Sequence, residues 1–440
     1  MAERLLDQRA REGFGLDENL NEVSVVDEYL KVRDVVVKNF GERVWFITDA
    51  CLAVVSTLLL EDITNPTGLN LIDAPSTGKT TILSWFYDIP EITYRTDNFT
   101  PASFVSHSSN VKEKDLPKVD LLPRIRFKCI VIPELAPIFQ KRKEDLIENM
   151  SILTRVFDGQ GLETDSGSRG RRGYKPDEKG DYLFAWLGAS TPLDFKVWKT
   201  MGKLGSRLLF LTVSENKSNE ERIQAVLSGL WGEKSYKLKT QECGEAIKDF
   251  LTFLWKQTGG VRQVKWEKSP VEERPGRCIA TVANLVVKAR SVVSVWREKE
   301  TDYNYSKPEI EDPFRLSTIL WNLARGHAII QGRTKINEDD LKVVIEVGLS
   351  SMPDDKRQVL DLLLKKSAEE WAETNEIVEG LSISKPTALA IMHIFKVLGL
   401  VEYDDPGMQQ SHRIKLKADF EWFLTDEFRD LREKIDGIPF

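Results

Sequence analysis

Leu69-Asn70-Leu71-Ile72-Asp73-Ala74-Pro75-Ser76-Thr77-Gly78-Lys79-Thr80-Thr81 is the stretch on which the fold turns. The apolar run reads as a strand end, 73–78 as a tight turn of small and polar residues, and 80–86 as the helix that follows. Such a turn aims backbone N–H groups inward, and the helix start adds its dipole, so the spacing suits a bound phosphate. On this reading Asp73, Ala74, Pro75, Ser76, Thr77, Gly78, Lys79, Thr80 and Thr81 cradle the phosphates of a nucleotide. Lys79 reaches the terminal phosphates, and the Thr80 hydroxyl sits on Mg²⁺. The usual pattern opens with Gly five residues before its second Gly; Asp73 stands there. The plainer alternative is a glycine-containing turn between strand and helix.

Working outward, 127–132, 182–188 and 208–213 are further strand candidates, separated by helical stretches. Strands alternating with helices predict a parallel sheet covered on both faces, an α/β fold. Cys129-Ile130-Val131-Ile132-Pro133-Glu134 is a strand ending in an acid, and Glu134 can polarise an attacking water. Pro133 occupies the place of the carboxylate that usually holds the metal shell, which leaves Asp73 as a substitute or slows hydrolysis. The third strand ends Gly188-Ala189-Ser190-Thr191-Pro192; Thr191, then Ser190, either contacts the γ-phosphate or caps the next helix. Arg207, just before the 208–213 strand, either acts across a subunit interface or forms a surface ion pair.

Composition bounds the reading. The chain has 440 residues, 41% hydrophobic and 30% charged, with 62 Lys and Arg against 69 Asp and Glu. That length predicts two or three domains and an ordered protein. The acidic balance excludes a globally basic nucleic-acid coat, though not a basic local site. Cys51, Cys129, Cys243 and Cys278 are too scattered for zinc or a disulfide framework. The most apolar stretch, 44–60, is broken by Asp49, falls short of a membrane span and reads as a buried amphipathic helix. A cytoplasmic protein without a membrane segment is expected.

With these parts in order, the chain resembles an AAA+ ATPase, in the branch of the minichromosome-maintenance helicases and MoxR-type ATPases. The resemblance covers about 27–420. It implies a P-loop NTPase parallel sheet with a helical lid and a C-terminal winged helix. It also implies ATP and Mg²⁺ as cofactors, a hexamer-type ring of identical subunits, and work on DNA. The segments expected are a polar arm at 1–25, a nucleotide-binding core at 26–215, a lid at 216–352 and a winged-helix-like domain at 353–440. In that branch a helix and a hairpin precede the third strand. Here 146–157 and the six-glycine segment 158–181 match them. The branch also carries a trans-acting Arg opening a lid helix, which matches Arg315 in Phe314-Arg315-Leu316-Ser317-Thr318. The catalytic set so implied is Glu134, Thr191, Arg207 and Arg315.

The hairpin of this branch grips DNA inside a ring pore. Here Arg169, Arg171, Arg172 and Tyr174 either supply phosphate contact and a stacking ring or belong to a solvated, charge-rich loop whose charge Asp165, Asp177 and Glu178 partly offset. Helices are expected at 356–366 and 368–379, the latter ended by Gly380, then a third capped by Ser384 and a two-stranded wing. Residues 353–440 hold 12 Lys and Arg against 18 Asp and Glu, so a protein partner suits this segment as well as DNA. The alternatives to a DNA motor are an ATP-driven assembly switch and a MoxR-like protein remodeller.

Overall fold

The computed structural model describes residues 24–105, 112–166, 170–205, 207–213, 220, 223–224, 227, 234–267, 269–293, 295–299, 302–405, 407 and 411–436. Residues 1–23 of the expected arm and Arg169 of the hairpin lie outside them. The chain divides into two compact units. One comprises Met1–Leu193, Leu211–Glu272 and Asn322–Asp340; the other comprises Asp194–Phe210, Glu273–Trp321 and Leu341–Phe440.

The fold is α/β. Strands β1 (Thr67–Ile72), β2 (Thr93–Arg95), β3 (Cys129–Ile132), β6 (Ala185–Ser190) and β7 (Leu208–Thr212) make a five-stranded sheet in the order β2-β3-β6-β1-β7. β4 (Leu162–Ser166) and β5 (Gly170–Tyr174) form a separate antiparallel hairpin. The pairs β2–β3, β3–β6 and β1–β6 are parallel. Every residue of β3 and β6 is buried, which is why both read as unbroken apolar runs rather than alternating ones. Of the two buried polar side chains of β1, Thr67 and Asn70, Asn70 accepts a hydrogen bond from Trp186 Nε1 at 2.8 Å.

Helix α1 (Val25–Phe40) opens on a capping box of Ser24 and Asp27 and buries Val25, Tyr29, Val32 and Val36, the three-and-four spacing of one helix face. Helix α2 (Glu42–Ser56) is buried as expected but is less amphipathic: Trp45 and every residue from Ile47 to Ser56 are buried. Its charge is neutralised inside. Asp49 Oδ1 accepts from the Tyr29 hydroxyl at 2.9 Å, and Asp49 Oδ2 lies 2.8 Å from His327 Nε2. His327 Nδ1 is 2.6 Å from Asp340 Oδ1, and Arg333 donates to both oxygens of Asp340 at 2.8 Å. Burial drives the His327 pKa down, but Asp49 and Asp340 outweigh it and raise it to about 9. A fully buried imidazolium thus pins segment Asn322–Asp340 to α2 within the first unit. Gly326 lies against α2 so closely that a Cβ there would collide with the Ala53 carbonyl oxygen.

The stretch 216–352, expected to be almost wholly helical, contains an antiparallel hairpin of β8 (Val295–Lys299) and β9 (Asp302–Tyr305). Val295-Trp296 and Tyr303-Asn304-Tyr305 carry the β-branched and aromatic residues that favour strands. In the second unit, helices Asp354–Leu364, Thr374–Leu381 and Lys385–Val397 precede strands β11 (Val401–Asp404) and β12 (Arg413–Leu416). A short strand β10 (Ala372–Glu373) completes a sheet ordered β10-β12-β11. Two expectations fail here. The middle helix starts at Thr374 rather than 368, because Ala372 and Glu373 pair with β12. Gly380 lies inside it, and Ser382, at φ 54°, takes the left-handed cap. Ser384 caps the next helix as expected, accepting from Thr387 N. All four cysteines are free and buried.

Candidate functional site

The turn after β1 is built around its lysine. Ser76 (φ 66°) and Gly78 (φ 89°) both take the left-handed region, either side of Thr77. That alternation favours backbone N–H groups turned into one concavity. A Cβ on Gly78 would meet nothing within 4 Å, so glycine is there for its backbone angle and not for space. Lys79 opens helix α3 (Lys79–Ser84), which is only six residues long, so the loop and the ammonium matter more than the helix dipole. Lys79 Nζ donates to Asp73 O at 2.8 Å, Ala74 O at 2.6 Å and Thr77 Oγ1 at 3.3 Å, and the side chain is only 8% exposed. Burial lowers its pKa, while the charges of Asp73 and Glu134 act to raise it. Ala74 N donates to Asp73 Oδ1. Pro75, Ser76 and Thr80 are exposed, and the Thr81 hydroxyl lies 2.5 Å from that of Tyr236.

The sheet order sets what faces this loop. β6 lies between β1 and β3, with Ile72 opposite Ser190 and Ile132 opposite Gly188. Asp73 N donates to Ser190 O at 3.3 Å, and Leu135 N to Ala189 O at 2.8 Å. The carboxyl ends of three parallel strands therefore meet along one edge, the usual position of a ligand in such sheets. Glu134 is exposed there, and its Oε1 accepts from Ala136 N at 2.8 Å. Pro133 stands between it and the strand and offers no side-chain ligand. Thr191 is half-buried at the tip of β6. The capping alternative for Ser190 and Thr191 fails, because the next helix, Phe195–Leu204, begins after Asp194. Among the described residues no group of three or more His, Cys, Asp or Glu could hold a metal ion.

Arg207 and Arg315 both belong to the second unit and meet at Gly205. A Cβ there would stand 2.9 Å from Arg315 Nη1, 3.0 Å from Glu311 Oε1 and 3.1 Å from Arg207 Nη1. Arg315 and Glu311 are only loosely paired, at 3.9 Å. Arg315, Glu311, Gly202, Gly205 and the exposed Phe314 line a cleft of about 520 Å³.

In the β4–β5 hairpin, Arg171 stands opposite Asp165 and Arg172 opposite Thr164. Arg171 Nη2 donates to Glu163 Oε2 at 2.6 Å across the exposed ladder, and that pair lowers the Glu163 pKa. Tyr174 is held at the hairpin base: its hydroxyl donates to Asp120 Oδ2 at 2.7 Å and its ring packs 5.9 Å from that of Tyr182. These contacts tie Tyr174 to the base of the hairpin. In the C-terminal sheet, Arg413 pairs with Asp404 at 2.7 Å and Lys415 lies 3.4 Å from Glu402.

Two features went unread in the sequence. Tyr236 beside the loop carries no motif, and the partners of His327 are 278 and 13 residues away. Among the described residues no helix is long and apolar enough to cross a membrane. No protein-family model matches the chain, and no curated protein matches it.

Proposed function

We propose that the chain is an ATP-binding, Mg²⁺-dependent P-loop ATPase of the AAA+ type that assembles with copies of itself and works on DNA. The observation that supports this most is the setting of Lys79. The residue is largely buried at a strand's carboxyl end, its ammonium bonded to two loop carbonyls, with the charges of Asp73 and Glu134 acting on it. One cation and two carboxylates leave a bare anion little net attraction, whereas a divalent cation carried by the phosphate chain would offset the two carboxylates. Mg²⁺ takes few protein ligands and completes its shell with phosphate oxygens and water, which suits a site without a carboxylate cluster. When bound, it neutralises charge on the transferred phosphoryl group.

In this reading Lys79 exchanges the carbonyls of Asp73 and Ala74 for phosphate oxygens, and Thr80 offers its hydroxyl to the ion. Glu134 orients the water, Thr191 reads the γ-phosphate, and Arg207 and Arg315 complete the site of a neighbouring copy. Arg171 and Arg172 meet DNA phosphates. The parallel sheet with β6 between the loop strand and the acid strand agrees with a P-loop arrangement.

The test is ATP binding and hydrolysis, with and without single-stranded DNA. Lys79→Ala should lose ATP binding. Glu134→Gln should keep binding while turnover falls by about 10²–10⁴-fold. Wild-type turnover in Glu134→Gln removes Glu134 from the chemistry, and wild-type protein that does not bind ATP refutes the reading. A second reading, an ATP-driven assembly switch docking a protein through 353–440, is favoured by Pro133 and by the paired wing cations. ATP-dependent oligomers with no DNA binding at low salt would select it.

A further inference from the structure

Tyr236 is 58% exposed, yet it is fixed at two points. Its hydroxyl is hydrogen-bonded to Thr81 Oγ1 at 2.5 Å. Its ring and that of Phe40 stand perpendicular, with centroids 5.8 Å apart at 89°, and Phe40 in turn lies 5.3 Å from the buried Trp85. The backbone is fixed as well, because Tyr236 opens helix Tyr236–Thr258 and Ser235 caps that helix by accepting from Leu238 N. A side chain held at its tip and against one neighbouring ring loses little freedom when something settles on the part of its face left exposed.

Position gives that face a meaning. Thr81 follows Lys79 by two residues in the same short helix. A ring tethered to the Thr81 hydroxyl is therefore held against the short helix that the phosphate loop opens. We propose that Tyr236 is the base-recognition residue of the site: its exposed ring stacks on the purine base of a nucleotide whose phosphates lie on the 73–81 loop. The inference rests on the phosphate-loop reading above and adds which part of the ligand the protein selects. Stacking is tolerant of base identity because every base has a π-face. The larger purine ring system covers more of the phenol than a pyrimidine does, and the phenol face offers no hydrogen-bond pattern to separate adenine from guanine.

The test compares four probes by calorimetry, MgATP, MgGTP, MgCTP and magnesium tripolyphosphate, on wild-type protein and on Tyr236→Ala, Tyr236→Phe and Lys79→Ala. Wild-type protein should bind ATP and GTP alike, and both more tightly than CTP or tripolyphosphate. Tyr236→Ala should weaken ATP and GTP by roughly ten- to a hundredfold, to the level of tripolyphosphate, whose own affinity stays unchanged. Tyr236→Phe keeps the ring but loses the tether to Thr81, so its ATP and GTP affinity should fall between wild type and Tyr236→Ala. Tyr236→Ala weakening ATP and tripolyphosphate equally, or weakening neither, overturns the base role while the phosphate loop stands. Wild-type protein binding none of the four, or Lys79→Ala binding all of them normally, overturns the loop reading itself. Far-UV circular dichroism and the melting temperature confirm that each variant is folded.

Discussion

His327→Gln should destabilise the protein in a way that depends on pH, and the size follows from the buried cluster. The imidazole has a pKa of about 9 in the folded chain against an ordinary 6.5, with Asp49 and Asp340 on its two nitrogens. A folded-state pKa raised by about 2.5 units corresponds to roughly 3 kcal/mol. Because the folded value lies above the unfolded one, the contribution is complete below pH 6.5 and disappears as the pH rises through 9. It amounts to roughly 3 kcal/mol at pH 5.5, about 2 at pH 7.5 and close to zero at pH 9.5. Glutamine fits the space and can hydrogen-bond, but it carries no charge. The assay is urea unfolding of wild type and variant at these three pH values, followed by tryptophan fluorescence. The gap between the two proteins should be widest at pH 5.5 and should narrow steadily to pH 9.5. A gap that is the same at all three values refutes the charged-imidazole account, whatever its size. Asp340 acts on the acid side. Despite burial, Arg333 and His327 hold its pKa below the usual 3.8, so its contribution is present above that pH and is lost as the pH falls through the depressed value.

Gly326→Ala should cost about 1–3 kcal/mol, because its new methyl group must displace the Ala53 carbonyl of α2; an unchanged melting temperature would show that the helices part freely. Replacing Arg171 and Arg172 together with alanine should reduce the salt dependence of single-stranded DNA binding by roughly 1.4 in log–log slope, read by fluorescence anisotropy between 50 and 200 mM salt. An unchanged slope removes the hairpin from the DNA surface.

The strand–loop–helix unit was legible because its signals are local: an apolar run, a turn that needs left-handed residues, and a helix start within a dozen positions. The buried strands β3 and β6 were visible for the same reason, and so was the Ser384 cap. What escaped depends on distance or on competition. Nothing near Asp49 in the sequence announces His327, so the break in an apolar helix carried no sign of an ion pair. The turn at Gly380 looked like a stop signal, yet the chain continues one more residue and bends at Ser382, where a polar residue bears the strain. The 368–373 segment has helical composition, but pairing of Ala372 and Glu373 with β12 takes precedence over propensity. Tyr236 shows the limit most plainly: without the folded loop beside it, an exposed tyrosine at a helix start has nothing to distinguish it.

The burial of the cysteines turns them into reporters. Cys51, Cys129 and Cys243 lie in the first unit and Cys278 in the second, and burial is the leading cause of the raised thiol pKa at the first three. A thiol that is both inaccessible and protonated reacts with alkylating reagents only when its surroundings open. The rate at which each native cysteine is labelled therefore measures how often its own unit opens, and a bound nucleotide that tightens the first unit would slow three of the four labels while leaving Cys278 as the internal reference.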